Sequence, residues 1–183
     1  MKVPSLSLTL LRALGFLGLV AYPAAFLAAA EPKPAGDSRI NVRFIAPEKF
    51  TDVRDSWSGD SESYRDGVLK DLRAFLQQRG EGVLREDLQL KIEVTDVDLA
   101  GDFEPWQFRS NQDIRVVKDL YPVRIKLVFQ LTDSSGEVLA EGERTLSDFG
   151  RIKDSFPTSD PLRHEKAVLR DWLSAEFRAF RRA

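Results

Sequence analysis

Between residues 94 and 106 the chain reads VTDVDLAGDFEPW, and within those thirteen positions lie Asp96, Asp98, Asp102 and Glu104. Clustered carboxylates hold hard cations through oxygen, or share protons in acid–base work. Counted as a calcium loop from Asp96, positions 1, 3 and 6 are Asp96, Asp98 and Gly101, as such a loop needs. Position 5 is Ala100 and position 12 is Gln107, so the fifth-position oxygen and the bidentate carboxylate are missing. A second geometry puts Asp96 and Asp98 on one strand face, where they bind magnesium or manganese with water and a further ligand. That reading makes the protein a metal-binding protein or a metal-dependent hydrolase built on Asp96, Asp98, Asp102 and Glu104.

A different account needs no ligand. Residues 93–104 carry five acids and no base. Residues 105–126 carry five bases (Arg109, Arg115, Lys118, Arg124 and Lys126) against two acids. Adjacent blocks of opposite sign pair across a ladder or loop, each exposed pair adding about 0.2–1 kcal/mol. The acidic stretch then ends a core strand and turns, and Phe103 and Trp106, with Trp57 from another loop, form a binding surface.

Other chemistries find less support. The chain has no cysteine and one histidine, His164, so thiolate chemistry is excluded and a zinc site is not expected. No G-x-S-x-G occurs. His164 falls just inside the last helix, where it reads as a partly exposed surface residue. Gly80-Glu81-Gly82 lacks the third glycine of a dinucleotide loop and reads as a helix stop. The net charge of −2 argues against a general nucleic-acid binder. No cofactor is expected.

These residues need elements to hold them. Ile40, Val42 and Phe44 alternate as a strand, and Leu88, Leu90, Ile92 and Val94 do so again. The rhythm slips at Asp96, after which Val97 and Leu99 take the other parity, as a bulge would require. Val123, Ile125, Leu127, Phe129 and Leu131 form the clearest strand, with a DSSG turn and a hairpin partner after it. Tyr64, Val68, Leu72, Phe75 and Leu76 share one face of a helix over 61–80. Leu162, Leu169, Leu173, Phe177 and Phe180 share a face of a second, with Asp160 as N-cap and Pro161 at its first position. The order β-α-β-β-β-α predicts an α+β two-layer sandwich, a four-stranded, mostly antiparallel sheet with both helices on one face.

The N-terminus is a separate object. Lys2 and Arg12 precede an uncharged run from Ala13 to Ala30, and Ala28 and Ala30 fit a cleavage site. Residues 1–30 therefore read as a secretory signal peptide, 31–39 as a flexible lead-in and 40–183 as one α+β domain. With the leader removed, no stable membrane span remains, and the protein belongs in the periplasm or outside the cell.

FTDVRDS at 50–56, VTDVDLAG at 94–101, FEPW at 103–106, DIRVVKDLYPVRIKL at 113–127 and SDPLRHEKAVLRDWLSAEF at 159–177 together resemble a proteobacterial family of secreted proteins, the domain of unknown function 3016. The resemblance covers about residues 40–178. It implies an envelope-directed single domain without an assigned activity, and it carries over no catalytic residue. The expectation is a non-enzymatic binding domain with an envelope protein or cell-wall partner, set against the metal-dependent alternative.

Overall fold

The computed structural model describes residues 38–53, 61–103, 115–116, 120–148 and 159–182. The first strand, β1 (Ile40–Phe44), leads to the long helix α1 (Ser61–Val83) and then to β2 (Gln89–Asp98). A small ribbon of β3 (Asp102–Phe103) and β4 (Arg115–Val116) follows. The hairpin β5 (Arg124–Thr132) and β6 (Val138–Ser147) and the helix α2 (Arg163–Glu176) complete the order. The main sheet runs β1-β2-β5-β6. β1 lies parallel to β2, whereas β2–β5 and β5–β6 are antiparallel. This is the expected mostly antiparallel α+β sandwich. The two-residue ribbon is the addition, too short to leave a periodic signal.

One face of the sheet supplies the core. Ile40 and Val42, then Leu90, Ile92 and Val94, then Ile125, Leu127, Phe129 and Leu131, are buried at alternate positions. The opposite face keeps the charged and polar residues, including the Lys91–Glu93 ion pair at 3.2 Å. The register shifts between Val94 and Asp96, which turns Val97 and Leu99 into the core as the sequence required. The hairpin turn closes on Gly136 at φ 87°, and the Asp133 carboxylate accepts from the N–H groups of Ser135 and Glu137 at 2.8 and 3.0 Å.

Two helix ends depart from the sequence reading. Gly80 does not stop α1, which continues to Val83. A Cβ at Gly80 would sit 2.9 Å from Cγ1 of the buried Ile40, so the glycine is where helix and strand meet closest. Beyond the helix, the Arg39 guanidinium donates to the carbonyls of Arg85 and Leu88 at 2.6 and 3.1 Å. It satisfies chain carbonyls next to the end of a helix that has no basic residue in its own last turn. At α2, the Asp160 carboxylate accepts from Leu162 N–H at 2.9 Å but caps a turn that precedes the helix. Leu162 stands at the N-cap and Pro161 lies outside α2.

The glycines of α1 offer a paired test. A Cβ at Gly67 meets nothing within 4 Å. Gly67→Ala is expected to stabilise by about 0.5–1 kcal/mol, the ordinary gain of alanine over glycine in a helix. Gly80→Val has to displace Ile40 and is expected to destabilise by about 1–3 kcal/mol. Urea midpoints should move in opposite directions, and a stabilising Gly80→Val would refute the close approach.

Candidate functional site

The acidic stretch is tied into the sheet. Asp96 accepts from Thr51 N–H at 2.9 Å and Thr51 Oγ1 at 3.0 Å, and Lys126 Nζ stands 3.4 Å away on β5. Partial burial pushes the Asp96 carboxyl up, but the two Thr51 hydrogen bonds and the Lys126 ammonium together hold it below the ordinary carboxylate range. Asp98 stands opposite Arg124 in the β2–β5 register, so the acidic and basic blocks meet across this ladder. The strand's end is fixed on its other side by the segment through Asp52, whose N–H donates to Val97 and whose carbonyl accepts from Leu99. Gly101 then takes φ 86°, a left-handed turn suited to glycine, and donates to Tyr121 O at 3.0 Å. Asp102 begins β3 and is exposed.

Of the binding residues read from the sequence, Phe103 lies in β3 opposite Arg115. Trp57 and Trp106, like Glu104, lie outside the described residues. Among the described residues, no three His, Asp or Glu side chains come together in a way that would hold a metal ion.

His164 is not partly exposed. It is 5% accessible, and its neighbour Glu165 is 1% accessible. The first turn of α2 sets them beside the ends of β6 and β2. His164 Nδ1 faces the buried Asp148 Oδ2 at 3.6 Å, and Glu165 Oε1 accepts from Ala100 N–H at 2.8 Å. Desolvation, helped by the Arg163 charge, pushes the His164 pKa below its usual value, and the Asp148 carboxylate only partly opposes this. Its Nε2 is buried with no hydrogen-bond partner among the described residues. A general base has to reach a substrate proton, and this imidazole is buried.

The sign of the resulting pH dependence follows. Because the folded pKa is depressed, the unfolded chain binds the proton first as pH falls, and stability drops below the unfolded value near 6.5. The melting temperature is expected to fall between pH 7.5 and 5.5, with a slope of at most about 1.4 kcal/mol per pH unit for one proton. His164→Gln should flatten that slope, and an unchanged slope in the variant would show that other groups set it.

Sequence reasoning overlooked a groove of about 580 Å³ between α1 and α2. Arg163, Lys166 and Arg170 line it from α2 and Arg79 from α1, with Asp160 as the one carboxylate in the lining. The three α2 cations follow i, i+3, i+7 spacing and fall within about 60° of one another around the helix. Lys166 Nζ pairs with Asp160 at 2.7 Å, and Arg170 with its neighbour Asp171 at 3.1 Å. Burial raises the Asp160 carboxyl, but Lys166, the Leu162 N–H and the Arg163 charge outweigh it and lower its pKa. Neither Arg79 nor Arg163 forms an ion pair within 4 Å among the described residues. Like charges three or four residues apart cost a helix about 0.2–0.5 kcal/mol per pair, a cost that the Lys166 and Arg170 ion pairs oppose. Between the cations lie Phe75, Val83 and Ala167, which give the groove an apolar wall.

The fold and the groove define a small α+β sandwich with a cation-lined cleft between its two helices. The chain belongs to the family described as Protein of unknown function (DUF3016), whose model matches residues 38–175. No curated protein matches it in sequence. Among solved structures, a minor lipoprotein from Acinetobacter baumannii is similar at 11% identity over 77% of this chain and 91% of that one, with a TM-score of 0.25. So slight a likeness bears on neither fold nor function. Among the described residues no helix is long and apolar enough to cross a membrane.

Proposed function

We propose that this protein is an exported, non-enzymatic bacterial binding domain that works in the periplasm or outside the cell and takes an anionic ligand in the α1–α2 groove. The observation that carries the reading is the groove itself. Its about 580 Å³ is the size of a ligand cleft, and it gathers four cations around one carboxylate in a chain of net charge −2. The basic start, uncharged run and Ala28/Ala30 pair of residues 1–30 support export. The engagement of Asp96 with Thr51 and Lys126 supports a structural role for the acidic stretch.

The test has two arms. A tagged full chain is expected in the periplasmic fraction, with Glu31 as its first residue. Retention of an intact N-terminus in the inner membrane would overturn export of a free domain. In the second arm, melting of the purified protein is followed with pyrophosphate, polyglutamate and citrate. A rise with at least one anion, lost in Arg79→Gln/Arg163→Gln, is expected. Silence with all three, and with anionic lipid vesicles, would remove the groove reading.

A second contact surface is proposed at Trp57, Phe103 and Trp106. It is favoured by the turn at Gly101 and the β3–β4 pairing, which anchor the chain at Asp102–Phe103 directly after the core strand. Trp57→Ala/Trp106→Ala should weaken association with an envelope fraction while leaving anion binding in the groove unchanged.

A further inference from the structure

The groove's chemistry identifies more than charge. We propose that it binds the phosphate headgroup of an anionic lipid, an inference that rests on the anion-binding reading above and narrows it to one ligand class.

Three features lead there. Two guanidinium groups, Arg79 and Arg163, approach one cleft from different helices and have no ion-pair partner among the described residues. A guanidinium presents parallel N–H donors that match phosphate or carboxylate in a forked pair. A carboxylate holds its two oxygens in one plane, and a fork that takes both approaches from one side. A phosphate diester shares one negative charge between two non-bridging oxygens on a tetrahedral centre, which point apart, so it can meet donors arriving from opposite walls together with Lys166 or Arg170.

The second feature is the apolar wall. Phe75, Val83 and Ala167 lie among the cations, and they would be wasted on a free inorganic ion. A headgroup that carries glycerol and the start of an acyl chain uses both kinds of surface. Arginine and lysine stems add apolar length around the same opening.

The third is Gly82, which also lines the cleft. A Cβ there meets nothing within 4 Å, so a side chain at this position begins in open space at the lining of the cleft. This provides a variant that closes the site while leaving every charge in place. Helix propensity favours any ordinary residue over glycine here, so Gly82→Phe should fold.

The experiment uses the protein as purified from cells. It measures co-sedimentation with vesicles of phosphatidylcholine alone and of equal parts phosphatidylcholine and phosphatidylglycerol, with pyrophosphate and polyglutamate as soluble competitors. The wild-type chain is expected to bind only the phosphatidylglycerol vesicles. Arg79→Gln/Arg163→Gln should weaken that binding by about thirtyfold, roughly fivefold per cation removed. Gly82→Phe should also weaken it, which surface attraction alone would not produce. Full vesicle binding by Gly82→Phe would overturn the proposal in favour of non-specific attraction. Binding of pyrophosphate without vesicle binding would replace the lipid with a free phosphate ligand. Binding of polyglutamate alone would overturn the phosphate assignment and leave the anion-binding function standing. No binding to any of these would remove both.

Discussion

Phe129→Ala is expected to destabilise the protein by about 3–5 kcal/mol, a large part of the 5–15 kcal/mol that holds most domains folded. Phe129 is 1% exposed on β5. Its ring meets Phe177 at 5.4 Å and 88°, and Trp172 at 5.8 Å and 65°. Those two rings meet each other at 5.6 Å and 70°, so the three edge-to-face contacts close a triangle between sheet and α2. Each such pair adds about 0.5–1.5 kcal/mol beyond the area it buries. The cluster lies beside the edge strand β6, where Gly142 is the register partner of Phe129. Gly142 leaves room for Arg144, whose guanidinium lies 5.3 Å from the Phe129 ring centre and forks onto Glu176 of α2 at 2.8 and 2.7 Å. A Cβ at position 142 would stand 2.8 Å from Arg144 Nη1, so the small residue and the flat cation belong together. Truncating Phe129 removes the ring that all of these groups share. Urea unfolding should show a lower midpoint at an unchanged slope. Phe129→Leu, nearer in volume, should cost well under half as much. Equal losses for both variants would show that aromatic geometry, and not filled volume, dominates the site.

Glu165→Ala is the second large effect, at about 2–4 kcal/mol. The carboxylate is 1% exposed and accepts from the N–H of Ala100, itself 5% exposed, at 2.8 Å. Removing it leaves a buried backbone donor without that partner, at about 1–3 kcal/mol, and leaves space where the side chain was. Glu165→Leu refills the space without restoring the acceptor and should recover only the packing part. Glu165→Gln retains an acceptor oxygen and should lose least. An order in which leucine outperforms glutamine would mean that burying a polar side chain here costs more than the Ala100 hydrogen bond returns. The effect should also appear as faster exchange of the Ala100 amide, because this contact pins the end of β2 to the first turn of α2.

The residues differ in how much of this they announced in advance. Alternation at Leu90, Ile92 and Val94 and at Ile125, Leu127, Phe129 and Leu131 defines strands with one buried face, because a pleated strand turns every second side chain the same way. The parity change after Val94 announced the bulge for the same reason. The apolar stripe through Leu169, Leu173 and Phe177 announced the buried face of α2. Glu165 was missed, although its spacing carried the signal: it follows Leu162 by three and precedes Leu169 by four, which puts a carboxylate on the apolar stripe. The cationic face of Arg163, Lys166 and Arg170 was overlooked, although their i, i+3, i+7 spacing carries it; what that face meets only the structure decides.

His164 was not legible. It lies on the side of α2 away from the stripe, where helical periodicity expects solvent, yet the end of β6 brings Asp148 beside it. Gly80 misled for a similar reason. Glycine at a helix end and glycine at a close crossing look alike along the chain, and only Ile40 on β1 tells them apart. The sequence by itself determined the periodic faces, the strand that carries VTDVD and the opposite signs of its neighbouring blocks, because each depends on residues a few positions apart. The tertiary structure alone decided that Asp96 meets Thr51 and Lys126, that His164 is enclosed, and that Arg79 joins the α2 cations in one groove. Those contacts join residues tens of positions apart, and their partners are chosen by which elements pack together, a choice local periodicity does not encode.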